Sequence, residues 1–179
     1  MHPPSTSMND HYWEGQIKVL LYKTQQSQEA ELALQSLRTL DREHLLQVFR
    51  AIFANDFQLR DLAIKAVFAI DPYRAIELLL PALHDADATW RWYVCSAFAD
   101  YGDERVVLPL TEVLVSDPDA DTRFMAAVAL AKIGDTHALA VLRHAEQFDR
   151  GADYEGRRVA TMAAEAIRAI LTRESSSSS

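Results

Sequence analysis

Apolar residues recur along this chain at helical spacing, and the pattern itself repeats. After Arg60, Arg91 and Arg123, small or apolar residues stand three places on (Ala63, Val94, Ala126) and six places on (Ala66, Ala97, Ala129). Others stand seven places on (Val67, Phe98, Leu130) and ten places on (Ile70, Tyr101, Ile133). Offsets of 3, 7 and 10 trace one stripe of an α-helix, and small residues at 3 and 6 let a second helix come close. The register steps by 31 and then 32 residues. A weaker copy starts at Ala30 (Ala33, Ser36, Leu37, Leu40). Another starts at Ala160 (Ala163, Ala166, Ile167, Ile170) after a longer step of 37 residues.

A second periodic segment follows each of the first four copies: Leu45, Leu46 and Phe49; Ala75, Ile76 and Leu79; Val106, Val107 and Leu110; Ala138, Leu139 and Leu142. Asp71-Pro72, Gly102-Asp103 and Gly134-Asp135 separate the two segments. Glycine there predicts a left-handed end to the first helix, aspartate an N-cap for the second, and Pro72 a first helical residue. Pro81 falls within a second helix and predicts a kink. A single helix pair cannot bury its own apolar faces, whereas stacked copies share a continuous core. The predicted fold is therefore all-α, an α-solenoid of stacked antiparallel helix pairs of about 31 residues each, with Leu110 and Leu130 in its core. The signatures of tetratricopeptide and ankyrin repeats are absent.

The ends read differently. Trp13, Ile17, Leu20 and Leu21 predict a capping helix over 12–24. Residues 1–11 read as a tail, 12–172 as the repeat domain, and 173–179 as a serine-rich tail without packing residues. The net charge of −8 and pI near 5.2 disfavour nucleic-acid binding, which needs a basic surface. No apolar run approaches the ~20 residues of a membrane span, and the first residues lack a basic, apolar leader. The expectation is a cytoplasmic protein. The one cysteine, Cys95, sits in an apolar segment and reads as a buried small hydrophobe.

The stretch Asp119-Ala-Asp-Thr-Arg-Phe-Met-Ala-Ala-Val-Ala-Leu-Ala-Lys-Ile-Gly-Asp135 resembles the short HEAT-like repeats named after phycobilin lyases. Trp90 to Leu114 resembles them less strictly, and the resemblance spans roughly residues 28–172. It implies a ladder between neighbouring units, made here by Asp56, Asp87 and Asp119 with Arg60, Arg91 and Arg123. It also implies either an adaptor or an auxiliary protein of bilin and phycobilisome metabolism, with a phycobiliprotein as a possible partner and an open-chain tetrapyrrole as ligand. A repeat scaffold does not by itself reveal its task.

Nucleotide-binding, hydrolase and redox motifs are absent from the chain. His137 and His144 are seven residues apart, about 10 Å along a helix, too far to share a metal unaided. The aspartates of Asp85-Ala-Asp87 and Asp117-Pro-Asp119-Ala-Asp121 lack the glycine and glutamate of an EF-hand loop, so helix capping explains them better. The sequence thus points to no catalytic residue, no metal and no resident cofactor.

Two features go beyond the scaffold. Trp92 and Phe124 stand one residue after the repeat arginine, outside the buried stripe, and should be neighbours on adjacent first helices. Val128 lies one turn beyond Phe124, and Trp90 is close by. Either neighbouring packing or a loop covers these residues, or they form a partner-binding patch. The stretch 147–159 lengthens one inter-repeat loop and carries Tyr154, Arg157 and Arg158. Such insertions are either tolerated surface loops or part of a binding face. The functional expectation is a non-catalytic adaptor that binds another protein. The alternative is a bilin-handling subunit that stacks a tetrapyrrole on the aromatics and holds its propionates with arginines.

Overall fold

The structure is a computed structural model that describes residues 19, 22–23, 29–40 and 57–177. The tail at 1–11, most of the expected capping helix and the second helix at Leu45–Phe49 lie outside the described residues. The chain divides into two compact units, Met1–Ala75 and Ile76–Ser179. Among the described residues every regular element is helical, apart from one isolated antiparallel bridge between Ala152 and Arg158. No described helix is long and apolar enough to cross a membrane.

In the first unit, α1 (Ala30–Arg38) packs against α2 (Phe57–Ile70). Their buried residues include Ala33, Ala63, Ala66 and Val67, the expected repeat positions. Helix α3 (Pro72–Leu79) carries the unit boundary. At Leu80 it passes into a 3-10 helix, Leu80–His84, with Pro81 in its first turn. Pro81 cannot donate a backbone hydrogen bond, and the tighter winding is the expected break.

The second unit continues with α4 (Ala88–Tyr101), α5 (Val107–Ser116), α6 (Ala120–Ile133), α7 (Leu139–Phe148) and α8 (Val159–Ser177). First helices α4, α6 and α8 lie side by side, and so do second helices α5 and α7. Each second helix also packs on the next first helix, α5 on α6 and α7 on α8. Leu110 of α5 and Leu130 of α6 are fully buried, with Phe98, Leu142 and Ile170. Each such side chain contributes about 1.5–3 kcal/mol. Cys95 is buried here as well, and the burial pushes its thiol pKa up, as for a packing residue.

The turns inside the pairs are built by aspartate. Asp71, Asp103 and Asp135 accept hydrogen bonds from the backbone N–H groups of Arg74, Arg105 and His137 at 3.0, 3.0 and 2.9 Å. Gly102 and Gly134 correct the sequence reading: φ is −72° and −65°, so neither is left-handed. Close approach selects glycine instead. A Cβ on Gly102 would lie 2.5 Å from the Phe98 carbonyl oxygen and 2.9 Å from Val106, and one on Gly134 would meet the Leu130 carbonyl.

The C-terminus also differs from expectation. Helix α8 runs through Ser177 instead of ending at residue 172. Ser175 and Ser176 donate their hydroxyls to the Thr172 carbonyl, satisfying a group near the helix end. Arg173 reaches across to donate to the Ala131 and Gly134 carbonyls at the end of α6.

Candidate interaction surface

Within the second unit, neighbouring repeats are joined by guanidinium–carboxylate forks, buried at Arg91 and partly buried at Arg123. Arg91 donates from Nε and Nη2 to the two oxygens of Asp117, both at 2.7 Å. Its Nη1 donates to the Asp85 carbonyl at 2.8 Å. Arg123 has the same arrangement one repeat later, with Asp149 at 2.8 and 3.1 Å and the Asp117 carbonyl at 2.9 Å. Each arginine thus ties the loop before its own helix to the loop that ends the next second helix. The hydrogen bonds raise both arginine pKa values above the usual range, against the opposing effect of burial. Burial pushes Asp149 up, but Arg123 and the Gly151 N–H hold its carboxyl below the ordinary value.

This corrects the acidic half of the ladder. Asp87 and Asp119 are N-caps, accepting from the backbone N–H of Thr89 at 2.9 Å and of Thr122 at 2.8 Å. An oxygen four residues before the arginine faces its own helix N-terminus, where unpaired N–H groups compete for it. The arginine partners are the aspartates 26 residues later. Asp56 and the Arg60 side chain lie outside what the structure describes. The missed signal was a spacing: Asp85, Asp117 and Asp149 recur every 32 residues. Each accepts the backbone N–H two residues on, from Asp87, Asp119 and Gly151.

The inserted loop is a small built structure. The Asp153 N–H donates to the Arg157 carbonyl at 2.9 Å, and the Gly156 N–H donates to the Asp153 carbonyl at 2.9 Å. Gly156 has φ +81°, the left-handed residue that completes this three-residue hairpin turn. The Asp153 side chain is buried inside the turn and accepts from the N–H groups of Glu155 and Arg157 at 3.0 and 2.8 Å. It also accepts from the Arg157 guanidinium, at 2.7 Å from Nε. Burial raises the Asp153 carboxyl, yet these donors bring it below its ordinary pKa. The Tyr154 N–H donates to Asp121 of α6, which ties the turn to the array.

The aromatic candidates do not form one open patch. Trp92 and Phe124 lie on adjacent helices α4 and α6, as expected. Phe124 is only 6% exposed, and the Arg157 guanidinium lies over its ring at 4.6 Å from the centroid. The long loop therefore covers Phe124. Trp92 is partly buried and meets Tyr93 edge to face at 4.9 Å. Trp90 and Val128 are partly buried too. Tyr154 at the hairpin tip is 75% exposed, and Arg157 and Arg158 are exposed beside it.

A different surface is more open. A trough of about 400 Å³ runs between the C-terminal ends of α5 and α7 and the start of the long loop. Leu114, Val115, Ala145 and Phe148 supply apolar walls, with His144 tilted against the Phe148 ring at 4.9 Å. Asp117, Arg123 and Asp149, the clamp residues, form its polar part, and Arg150 stands at its edge. Val115 is 59% and Phe148 55% exposed, so the trough opens to solvent. Sequence reasoning did not single out Val115, weighed His144 only as a metal ligand, and held Phe148 and Arg150 only as members of the stretch 147–159, because one-dimensional periodicity cannot show which side chains at helix ends face a neighbour and which face water. Among the described residues no group of three or more His, Cys, Asp or Glu is placed to hold a metal ion.

An array of helical pairs, locked repeat to repeat by arginine–aspartate forks, defines a helical-repeat scaffold. The family model for HEAT repeats matches residues 42–126 and 76–168, and the chain belongs to the HEAT-repeat family. No curated protein matches it. Among solved structures it is similar to an engineered protein in a crystal structure from the Northeast Structural Genomics Consortium. That match has a TM-score of 0.48 and 19% identity, and covers 88% of this chain and 80% of the other.

Proposed function

We propose that the protein is a non-catalytic adaptor that binds another protein in the trough between α5 and α7. The observation that carries this reading is the pair Val115 and Phe148. Two large apolar side chains, each more than half exposed, flank one concavity whose floor is held by the forks. Exposed apolar groups around a pre-formed concavity favour a partner, because water is released on docking while little order is lost. The test is quantitative affinity capture from the native host with wild type and a Val115→Ser, Phe148→Ser double variant. The adaptor reading expects a defined set of proteins retained by wild type and lost by the variant, with both proteins unfolding at similar temperatures. Equal retention by both would place binding elsewhere.

The bilin-handling role implied by the resemblance needs an open aromatic face and free guanidinium groups. Phe124 lies beneath Arg157, and Arg157 pairs with Asp153 and Glu155. These contacts weigh against a bilin seated on Phe124 and held by Arg157.

A further inference from the structure

We propose that the segment seated in this trough is anionic: a stretch of a partner protein in which Asp or Glu stands beside Leu or Phe. The inference rests on the trough being the docking site and deepens that reading. Its ground is the charge left over once the clamp is formed. Asp117 gives both carboxylate oxygens to Arg91, and Asp149 gives both to Arg123. Each fork neutralises itself, so neither aspartate presents a free negative charge to an incoming ligand. Arg150 at the edge is exposed and makes no ion pair among the described residues. The trough therefore carries one uncompensated cation, in a chain whose net charge is −8.

That contrast selects a partner. The negative field of the whole chain repels anions from most of its surface, and here a local cation reverses the preference. An apolar side chain seated between Val115 and Phe148 excludes water beside Arg150. A carboxylate reaching the guanidinium then interacts in a lower dielectric than on an open surface. A basic segment meets no free carboxylate within the trough. A purely apolar segment leaves the guanidinium desolvated without a partner, which costs affinity. The rigid floor adds to this. The forks hold the concavity in place before binding, so the partner alone must be ordered.

The experiment is selection of random displayed twelve-residue peptides on the immobilised full chain. Recovered peptides are then measured by fluorescence anisotropy against wild type, Arg150→Glu, Arg150→Gln and Phe148→Ser. The expected peptides pair Asp or Glu with Leu or Phe. Their affinity should fall by at least about tenfold in Arg150→Glu, fall less in Arg150→Gln, be lost in Phe148→Ser, and weaken with added salt. Circular dichroism establishes that each variant keeps its helical spectrum. Recovered peptides that are neutral or basic, or that bind Arg150→Glu as well as wild type, overturn the anionic inference. If such peptides still need Phe148, the docking reading survives that failure. Selection of no peptide above background, or of peptides indifferent to Phe148→Ser, overturns both.

Discussion

The guanidinium carbon of Arg157 lies 4.6 Å from the centre of the Phe124 ring, across 33 residues of sequence. The ring stands one residue past the repeat arginine and is buried. The arginine is aimed by Asp153 beneath it and Glu155 beside it. Replacing Arg157 with alanine removes the cover and one face of the hairpin together. Amide hydrogen exchange at Glu155 and Arg157, whose N–H groups bond to the Asp153 carboxylate, should quicken while α4 and α5 stay protected. Unchanged exchange in the loop would show that Arg157 is incidental to it.

The forks and the caps carry different weights. Breaking a buried ion pair leaves an unpaired charge in the interior, so Arg91→Ala should cost about 3–5 kcal/mol. Asp119→Ala removes a cap and should cost about 0.5–2 kcal/mol. Urea unfolding of both variants checks the order. If Asp119→Ala proved the more damaging, the ladder would belong to Asp119 after all.

Acid should weaken the fold through Asp149 and Asp153. Both carboxyls titrate below their ordinary value in the folded chain, so the unfolded chain binds protons more readily. Their contribution is complete above the unfolded pKa of about 3.9 and is lost as pH falls through the folded values. Melting temperature should therefore decline below about pH 4. Asp153→Asn should melt lower at neutral pH and lose less on acidification. A variant with the wild-type acid dependence would remove Asp153 from this account.

Leu130 is fully buried between first helices and second helices. Its replacement by alanine leaves a cavity and should cost about 2–5 kcal/mol. Leu108, 64% exposed on α5, serves as the control: Leu108→Ala should stay within about 0.5 kcal/mol of wild type. Similar losses at both sites in denaturant titrations would mean that the buried register is misplaced.

Gly156 adopts φ +81° with open space where a Cβ would sit. Gly156→Ala therefore meets no clash, only the backbone penalty of roughly 1–2 kcal/mol. That penalty should appear as faster exchange in residues 151–158, with the helices unchanged. An alanine variant with wild-type protection across the hairpin would show that the turn does not depend on this conformation.

Much of the scaffold could be read along the chain. The stripe at Ala126, Ala129 and Leu130, the caps at Asp103 and Asp135, and the break at Pro81 each follow from local rules, in which the signal and its consequence lie within a few residues. The glycines were placed correctly for the wrong reason. Glycine is favoured at 102 and 134 because the carbonyls of Phe98 and Leu130, four residues back, leave no room for a Cβ, and Ile133 and Ile170 close in from other turns of the fold; these last contacts have no trace in local sequence.

The repeat, its helical class and its buried stripes are therefore properties of the sequence alone, because a periodic apolar face has one economical way to leave water. Tertiary structure decided the pairing. Arg91 had nearby aspartates at 85, 87, 117 and 119 to choose from, and only the approach of one loop to the next selected Asp117. In the same way folding covered Phe124 with a loop that is distant in sequence, and left Val115 and Phe148 uncovered at helix ends. Hydrophobic patterning says that a side chain prefers contact. Which surface meets it, and which is left to water, depends on distances between segments that exist only once the helices have stacked.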